Sequence, residues 1–192
     1  AEGGARSTSF SRNIVRSGLR GILLDGAGTH VEVFNNTLVD NTTAMQVSGC
    51  ANLDVRNTIF ADSSSYGLQF STCSPTQLHT YNDYWNNGQD IDPLEPGPGE
   101  IFMDPQFLSP LLNNYRTRDH SPVADAGNSS DPVPPGAGER ADIGYLEQGR
   151  ASFYVDDDYC ADCVNNSLTW GVDAFQTIQD GLDAARTYIK TR

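Results

Sequence analysis

The chain has 192 residues, 38% of them hydrophobic and 19% charged, with 18 glycines and 10 prolines; that is enough to bury one core and short for two ordinary domains. Its 25 acidic against 12 basic residues give a formal net charge of −13, the wrong sign for neutralising phosphates, which excludes a nucleic-acid binder. No apolar run approaches the roughly 18 residues of a membrane span, and Ala1-Glu2-Gly3-Gly4 lacks a basic-then-apolar signal pattern, so a soluble chain is expected, with any export signal outside it.

Low charge with abundant Asn, Ser, Thr and Gly fits either a polar disordered tract or an all-β repeat protein. Periodicity chooses the second. Asn13, Asn36, Asn57 and Asn82, spaced by 23, 21 and 25 residues, each open a short β-prone stretch: Asn13-Ile14-Val15, Asn36-Thr37-Leu38-Val39, Asn57-Thr58-Ile59-Phe60 and Asn82-Asp83-Tyr84-Trp85. After the first three come second strands, Gly21–Leu24, Ala44–Val47 and Gly67–Phe70, and then third strands, Val31–Val33, Leu53–Val55 and Leu78–Thr80, with the alternation of a half-buried strand.

Three strands per repeat of about 21 to 25 residues, without a helical period, predict a solenoid whose coils pair with one another. The Leu-x-x-Leu-x-Leu spacing of a leucine-rich repeat is missing. Asn13, Asn36, Asn57 and Asn82 are expected to form a buried amide ladder from coil to coil, with a one-residue slip around Asn35-Asn36. Ile22, Leu24, Val31, Val33, Leu38, Met45, Val47, Leu53, Val55, Ile59, Leu68 and Phe70 are the expected core.

Cys50 and Cys73 each lie three residues past a second strand, at the same turn of consecutive coils. Strands about 4.8 Å apart suit a disulfide between them, two stacked thiols being the alternative. Residues 1–90 are thus read as β-helix coils, and the Pro/Gly-rich residues 91–103 as an excursion that cannot be a central strand.

Two further segments carry a resemblance. Asp104-Pro105-Gln106-Phe107, Ser121-Pro122-Val123-Ala124-Asp125-Ala126-Gly127 and Asp142-Ile143-Gly144-Tyr145-Leu146-Glu147 follow one another in order. Then come Tyr154-Val155-Asp156-Asp157-Asp158, Trp170-Gly171 and Phe175 through Ala185. With the coils, these resemble the right-handed parallel β-helix repeats of the pectin-lyase-like superfamily, an all-β fold. The first segment (within 91–149) is similar to the closing module of secreted β-helix proteins, and the second (150–192) to an opening strand and amphipathic cap helix. Independently of the resemblance, Thr177 suits an N-cap with Asp180 three residues on, and Ile178, Leu182, Ala185 and Ile189 share one helical face. An opening segment placed last departs from the family order. The chain is a piece of a tandem array, closes on its own first coil, or caps the next copy; an uncovered first coil would be a template for association.

The chemistry search returns little. His30, His79 and His120 have no metal-ligand spacing, and no Gly-x-Ser-x-Gly, Walker loop or His-Glu-x-x-His occurs. Asp25, Ser48 and Ser71 make one expected exposed row, and Glu32, Asp54 and His79 another, without a cation column to stabilise an anionic intermediate. Asp156, Asp157 and Asp158 offer calcium ligands, but on a strand only Asp156 and Asp158 would converge; a solvated acidic turn is the plainer reading. Cys160-Ala161-Asp162-Cys163 reads as a local disulfide rather than a zinc half-site. An even cysteine count and this architecture imply an oxidising compartment, extracellular or cell-surface. Asn35, Asn41, Asn128 and Asn165 head glycosylation triplets, Asn41 and Asn128 being the best placed.

The expectation is a structural, non-enzymatic module that polymerises head to tail through Tyr154, Val155, Trp170, Phe175, Ile178, Leu182 and Ile189, without cofactor. The alternative is a carbohydrate-active β-helix enzyme, a polysaccharide lyase or glycoside hydrolase, which needs a groove with a converging carboxylate and cation.

Overall fold

The structure is a computed structural model and describes residues 7–25, 30–48, 52–71, 78–118, 120–133, 137–147, 154–163, 169–171 and 174–190. Twelve strands come in chain order: β1 (Ser7–Ser11), β2 (Ile14–Arg16), β3 (Arg20–Asp25), β4 (His30–Phe34), β5 (Thr37–Val39), β6 (Thr43–Ser48), β7 (Asn52–Arg56), β8 (Ile59–Ala61), β9 (Tyr66–Ser71), β10 (Leu78–Thr80), β11 (Asp83–Trp85) and β12 (Gln89–Asp92). Every third strand pairs in parallel, giving three four-stranded sheets: A (β1-β4-β7-β10), B (β2-β5-β8-β11) and C (β3-β6-β9-β12). The expected all-β parallel solenoid is therefore the fold.

Each rung turns two corners on a residue in left-handed backbone. Arg12, Asn35, Asn57 and Tyr81 have φ of 59°, 51°, 49° and 53° between sheets A and B, and Ser17, Asp40, Asp62 and Asn86 have 57°, 55°, 54° and 53° between B and C. Asn and Asp tolerate this region because their short polar side chains bond locally, which accounts for five of these eight corner residues.

Inside the coil, Val33, Leu38, Met45, Val47, Leu53, Val55, Phe60, Leu68 and Tyr84 are almost wholly buried in one cluster. Phe60 and Tyr84 stack across rungs at 5.1 Å between ring centres, and Phe102 extends the stack at 5.6 Å. Ile59, expected here, is equally buried but on the other face of sheet B, because Ile59 pairs with Thr37 and Phe60 with Leu38. A one-residue change of register moves every side chain to the opposite face.

The outer face of sheet B is dry as well. Residues 104–147 include the antiparallel strands β13 (Phe107–Ser109) and β14 (Asn114–Thr117). They contribute Tyr115, Val123 and Ile143 to a second cluster with Val39, Ile59 and Ala61. The family-like motif residues tie this layer down. The Asp142 carboxylate accepts the Asp125 N–H (2.7 Å), Glu147 accepts the Asp142 N–H (3.1 Å), and the Ser121 hydroxyl donates to the Pro105 carbonyl (2.8 Å). Gly144, at φ 121°, donates its N–H to Asn57 O (2.8 Å), and a Cβ there would meet Ile59 Cδ1 at 2.8 Å. The segment is a lateral cover whose ordered motifs are hydrogen-bonded turns.

The Pro/Gly-rich stretch is less of an excursion than expected. Gln89–Asp92 completes sheet C, with Ile91 in the core. Residues 97–103 then run back across rung four: Tyr81 N–H donates to Pro98 O, Ile101 N–H to Asn82 O, and Tyr84 N–H to Ile101 O, at 2.9–3.0 Å. Prolines are tolerated because this layer is the last one and its free edge needs no donors.

The described chain divides into two compact units, the second comprising residues 135–137 and 149–192. In it β15 (Tyr154–Val155) pairs in parallel with β16 (Ala174–Phe175), followed by α1 (Ile178–Lys190). Thr177 caps the helix as expected: its hydroxyl accepts the Asp180 N–H at 3.1 Å and donates to the Asp180 carboxylate at 2.6 Å. Gly181 is buried, and a Cβ there would lie 2.9 Å from Val155 Cγ2, so the helix interior carries a glycine where the strand packs closest.

Candidate functional site

The amide ladder exists with one member exchanged. Asn36 Oδ1 accepts both the backbone and side-chain N–H of Asn13 (3.0 and 3.1 Å). The next rung is Thr58, whose hydroxyl accepts the Asn36 N–H (3.4 Å) and whose own N–H donates to Asn82 Oδ1 (3.0 Å). Asn57 occupies the left-handed corner one residue earlier and serves the cover instead: its side chain accepts the Asn128 N–H and donates to Asp131, both at 2.7 Å. A second ladder went unread. Asn41 Oδ1 accepts the Gly18 N–H, Asn87 Oδ1 accepts the Ser63 N–H, and each amide donates back to strand carbonyls. Gly18, Asn41, Ser63 and Asn87 recur at the ladder's own spacing, but two of the four are not asparagine.

That second ladder removes Asn41 as a glycan acceptor: the residue is 3% exposed, and its amide donates to Val15 O and Val39 O at 3.1 Å. Asn35 is excluded likewise, because its amide donates to Asp142 O at 3.1 Å within the cover. Asn128 is half-buried beside exposed Ser129 and Ser130; Asn165 lies outside the described residues.

On the outer face of sheet A, Glu32 and Asp54 are register partners, but the third member of the expected row is Leu78, and His79 aligns with Val55. His79 accordingly points inward, 6% exposed and 6.1 Å from the Phe70 ring. The cation missing from the sequence reading is Arg56, two residues along the strand. Its guanidinium lies 2.7 Å from Asp54, 3.0 Å from Asp131 and 3.5 Å from Glu32, over the Phe34 ring. Burial raises the Asp54 pKa and Arg56 lowers it, the net being upward. Burial works against the Arg56 charge, but the hydrogen bond and charge of Asp131 and the charge of Asp54 overcome it and raise its pKa. With both ends of its fork engaged, Arg56 fastens the Asp131 loop to the coil rather than awaiting an anion.

Rung four holds two buried carboxylates. Glu100, with a fully buried side chain, lies 2.9 Å from His79 Nδ1 and accepts from Asn82 Nδ2, Tyr84 OH and the Gly97 N–H (2.7–3.1 Å). Burial, reinforced by Glu100, pushes the Tyr84 hydroxyl well above its ordinary pKa. Asp83 faces the other way and is wholly buried. One oxygen accepts the Met103 N–H at 3.1 Å and the other has no hydrogen-bond partner among the described residues. Burial pushes its pKa up to about 8, so it is a neutral acid at pH 7.

Beside it opens a cleft of about 430 Å³ lined by Asp62, Trp85, Asp104, Gln106, Phe107, Pro110 and Arg118. Asp83 does not line it. Of the neighbouring aromatics Tyr81, Tyr84 and Trp85, it is Trp85 that is exposed, at 38%, since Tyr84 turns into the core and Tyr81 sits on a corner.

In the second unit, Cys160 and Cys163 form the expected local disulfide; Cys50 and Cys73 lie outside the described residues. Asp156–Asp158 follow β15 as a turn rather than extending it, so that one oxygen from each of the three carboxylates lies within 4.8 Å of the others. All three are exposed, so the geometry suits a hard cation and a solvated turn alike. Of the expected assembly residues, Phe175 is buried, whereas Val155 (41%), Trp170 (36%), Ile178 (71%) and Leu182 (49%) are exposed; the side chains of Tyr154 and Ile189 lie outside the described residues.

The chain matches no family model, no curated protein and no solved structure.

Proposed function

We propose that the chain is an extracellular structural module of the pectin-lyase-like β-helix kind, which joins copies of itself head to tail in a filament, sheath or adhesin. The observation that carries this reading is a pair of exposed apolar surfaces among the described residues. The edge strands β1–β3 leave Phe10, which faces the coil interior beside Val33, 41% exposed, with Leu19 and Leu23 open nearby. The second unit offers a parallel strand pair and a helix whose Ile178 and Leu182 face solvent. A strand pair added to the edge of one copy by another satisfies its main-chain groups and buries those side chains. Such a contact is heterologous and propagates. The Cys160–Cys163 disulfide fits an oxidising compartment.

Sedimentation velocity and electron microscopy of the full chain, against a chain ending at residue 149, test it. Concentration-dependent filaments from the full chain and monomers from the shortened one are expected. A full chain that stays monomeric, or a shortened one that polymerises equally, overturns the reading.

The second reading, a carbohydrate-active surface, is favoured by the cleft containing Trp85, Asp62, Asp104 and Arg118. An aromatic face with flanking carboxylates suits a sugar ring. Affinity electrophoresis in acidic and neutral polysaccharides, comparing the chain with Trp85→Ala, separates it: retardation lost in the variant supports it, and equal migration refutes it.

A further inference from the structure

Residues 97–104 are held on rung four from two sides. Inside the coil, Glu100 accepts from Asn82, Tyr84 and Gly97 and lies 2.9 Å from His79 Nδ1, and Phe102 stacks on Tyr84. Outside it, Met103 and Asp104 close over Asp83, which pairs across to Ile101 in a parallel bridge. The two sides differ in how their carboxyl groups are bonded. Glu100 has donors for both of its oxygens. Asp83 has the Met103 N–H on one oxygen and a weaker backbone contribution from Tyr84, its other oxygen has no hydrogen-bond partner among the described residues, and the charged groups acting on it, Asp104 in the segment itself and Asp90 in β12, are both acidic. A neutral acid tolerates that site, whereas a carboxylate there is a buried anion short of a partner and repelled by its neighbours. Water reaches it if the segment lifts.

We propose that residues 97–104 are a proton-controlled strap, closed over β10 and β11 while Asp83 is protonated and released as Asp83 ionises. The closed state holds a proton on Asp83 up to about pH 8, whereas an open, solvated Asp83 has an ordinary pKa of about 3.9. The strap is therefore tightest below about pH 4. Its opening equilibrium rises about tenfold per pH unit between those values and levels off above the upper one. Opening would bare Tyr84 and the edges of β10 and β11, so that the end of the coil stack becomes accessible in alkali and not in acid.

Hydrogen exchange of the full chain, corrected for intrinsic exchange rates, reads this at the Tyr84 and Ile101 amides, which bond across the strap. Their protection is expected to fall about tenfold per unit from pH 5 to 8 and then to flatten, while amides of β7 in the same molecule hold steady. Asp83→Asn should remove the slope, and Glu100→Gln should keep it with lower protection throughout. Asp104→Asn, which removes one repelling charge, should move the flattening to lower pH. Flat wild-type protection, an undiminished slope in Asp83→Asn, or, if that variant does not fold, an unmoved break in Asp104→Asn overturns the proposal.

Discussion

The Asn82 carboxamide sits one rung above Thr58, accepting its backbone N–H at 3.0 Å while donating to Val55 O at 3.0 Å and to Glu100 Oε1 at 3.1 Å. Both residues are wholly buried, so one side chain satisfies groups from three segments that water cannot reach. Asn82→Ala strands those groups, each worth about 1–3 kcal/mol when buried and unpaired. A total loss of about 3 kcal/mol in urea unfolding is expected, against about 1 kcal/mol or less for Asn13→Ala on the half-exposed first rung. Equal losses would contradict the ladder as the cause.

Gly144 and Gly171 both have positive φ, 121° and 75°. A Cβ at Gly144 collides with Ile59, whereas one at Gly171 meets nothing within 4 Å. Gly144→Ala should therefore lose both backbone and packing terms, about 2–4 kcal/mol, and Gly171→Ala about 1 kcal/mol. Thermal melting of the two variants gives the comparison.

Leu53 is 2% exposed in the main core, and Glu32, its neighbour in the coil, points outward with its side chain 32% exposed. Leu53→Ala is expected to cost about 2–5 kcal/mol and Glu32→Ala within about 1 kcal/mol. Similar values from chemical denaturation would mean that the strand faces are reversed.

Arg56→Gln leaves Asp54, Asp131 and Glu32 facing one another. Burial already raises the Asp54 pKa, and Arg56 is the charge that restrains it, so the variant raises it further. A raised carboxyl pKa stabilises below the ordinary value near 3.9, and that benefit disappears as pH rises through the folded value. The destabilisation by Arg56→Gln should thus be about 2 kcal/mol at pH 7 and smaller near pH 4; a loss independent of pH would place the effect in packing over Phe34 instead.

Intact mass after alkylation without reductant should show no adducts, because Cys160 and Cys163 are bonded and Cys50 and Cys73 are proposed to be. Two adducts would mean that Cys50 and Cys73 are free thiols. After reduction, four are expected.

The three-strand period, the in-phase asparagines and the alternation of apolar residues sufficed to read the parallel solenoid from the chain. Thr177 and Asp180 likewise marked the start of α1. Both are local patterns, carried by residues within one strand or turn. One misreading has a plain origin: aligning Asn57 with Asn36 takes a step of 21 residues, whereas the structure's step of 22 brings Thr58 into the ladder. That single slip also put Ile59 inside instead of Phe60, since neighbouring residues in a strand face opposite ways.

The sequence by itself thus determined the coil, its three sheets and most of its interior, because hydrophobic alternation and corner-forming residues act over a few positions. Only the tertiary structure decided what the polar residues do. Arg56 meets Asp131 across 75 positions and Asn35 meets Asp142 across 107, and Glu100 inserts beneath Asn82 from a stretch that reads as loop. The burial that makes Asp83 a neutral acid comes from a strap whose own sequence shows no β pattern. Burial and charge at a point depend on whatever distant segment closes over it, and no local periodicity encodes that.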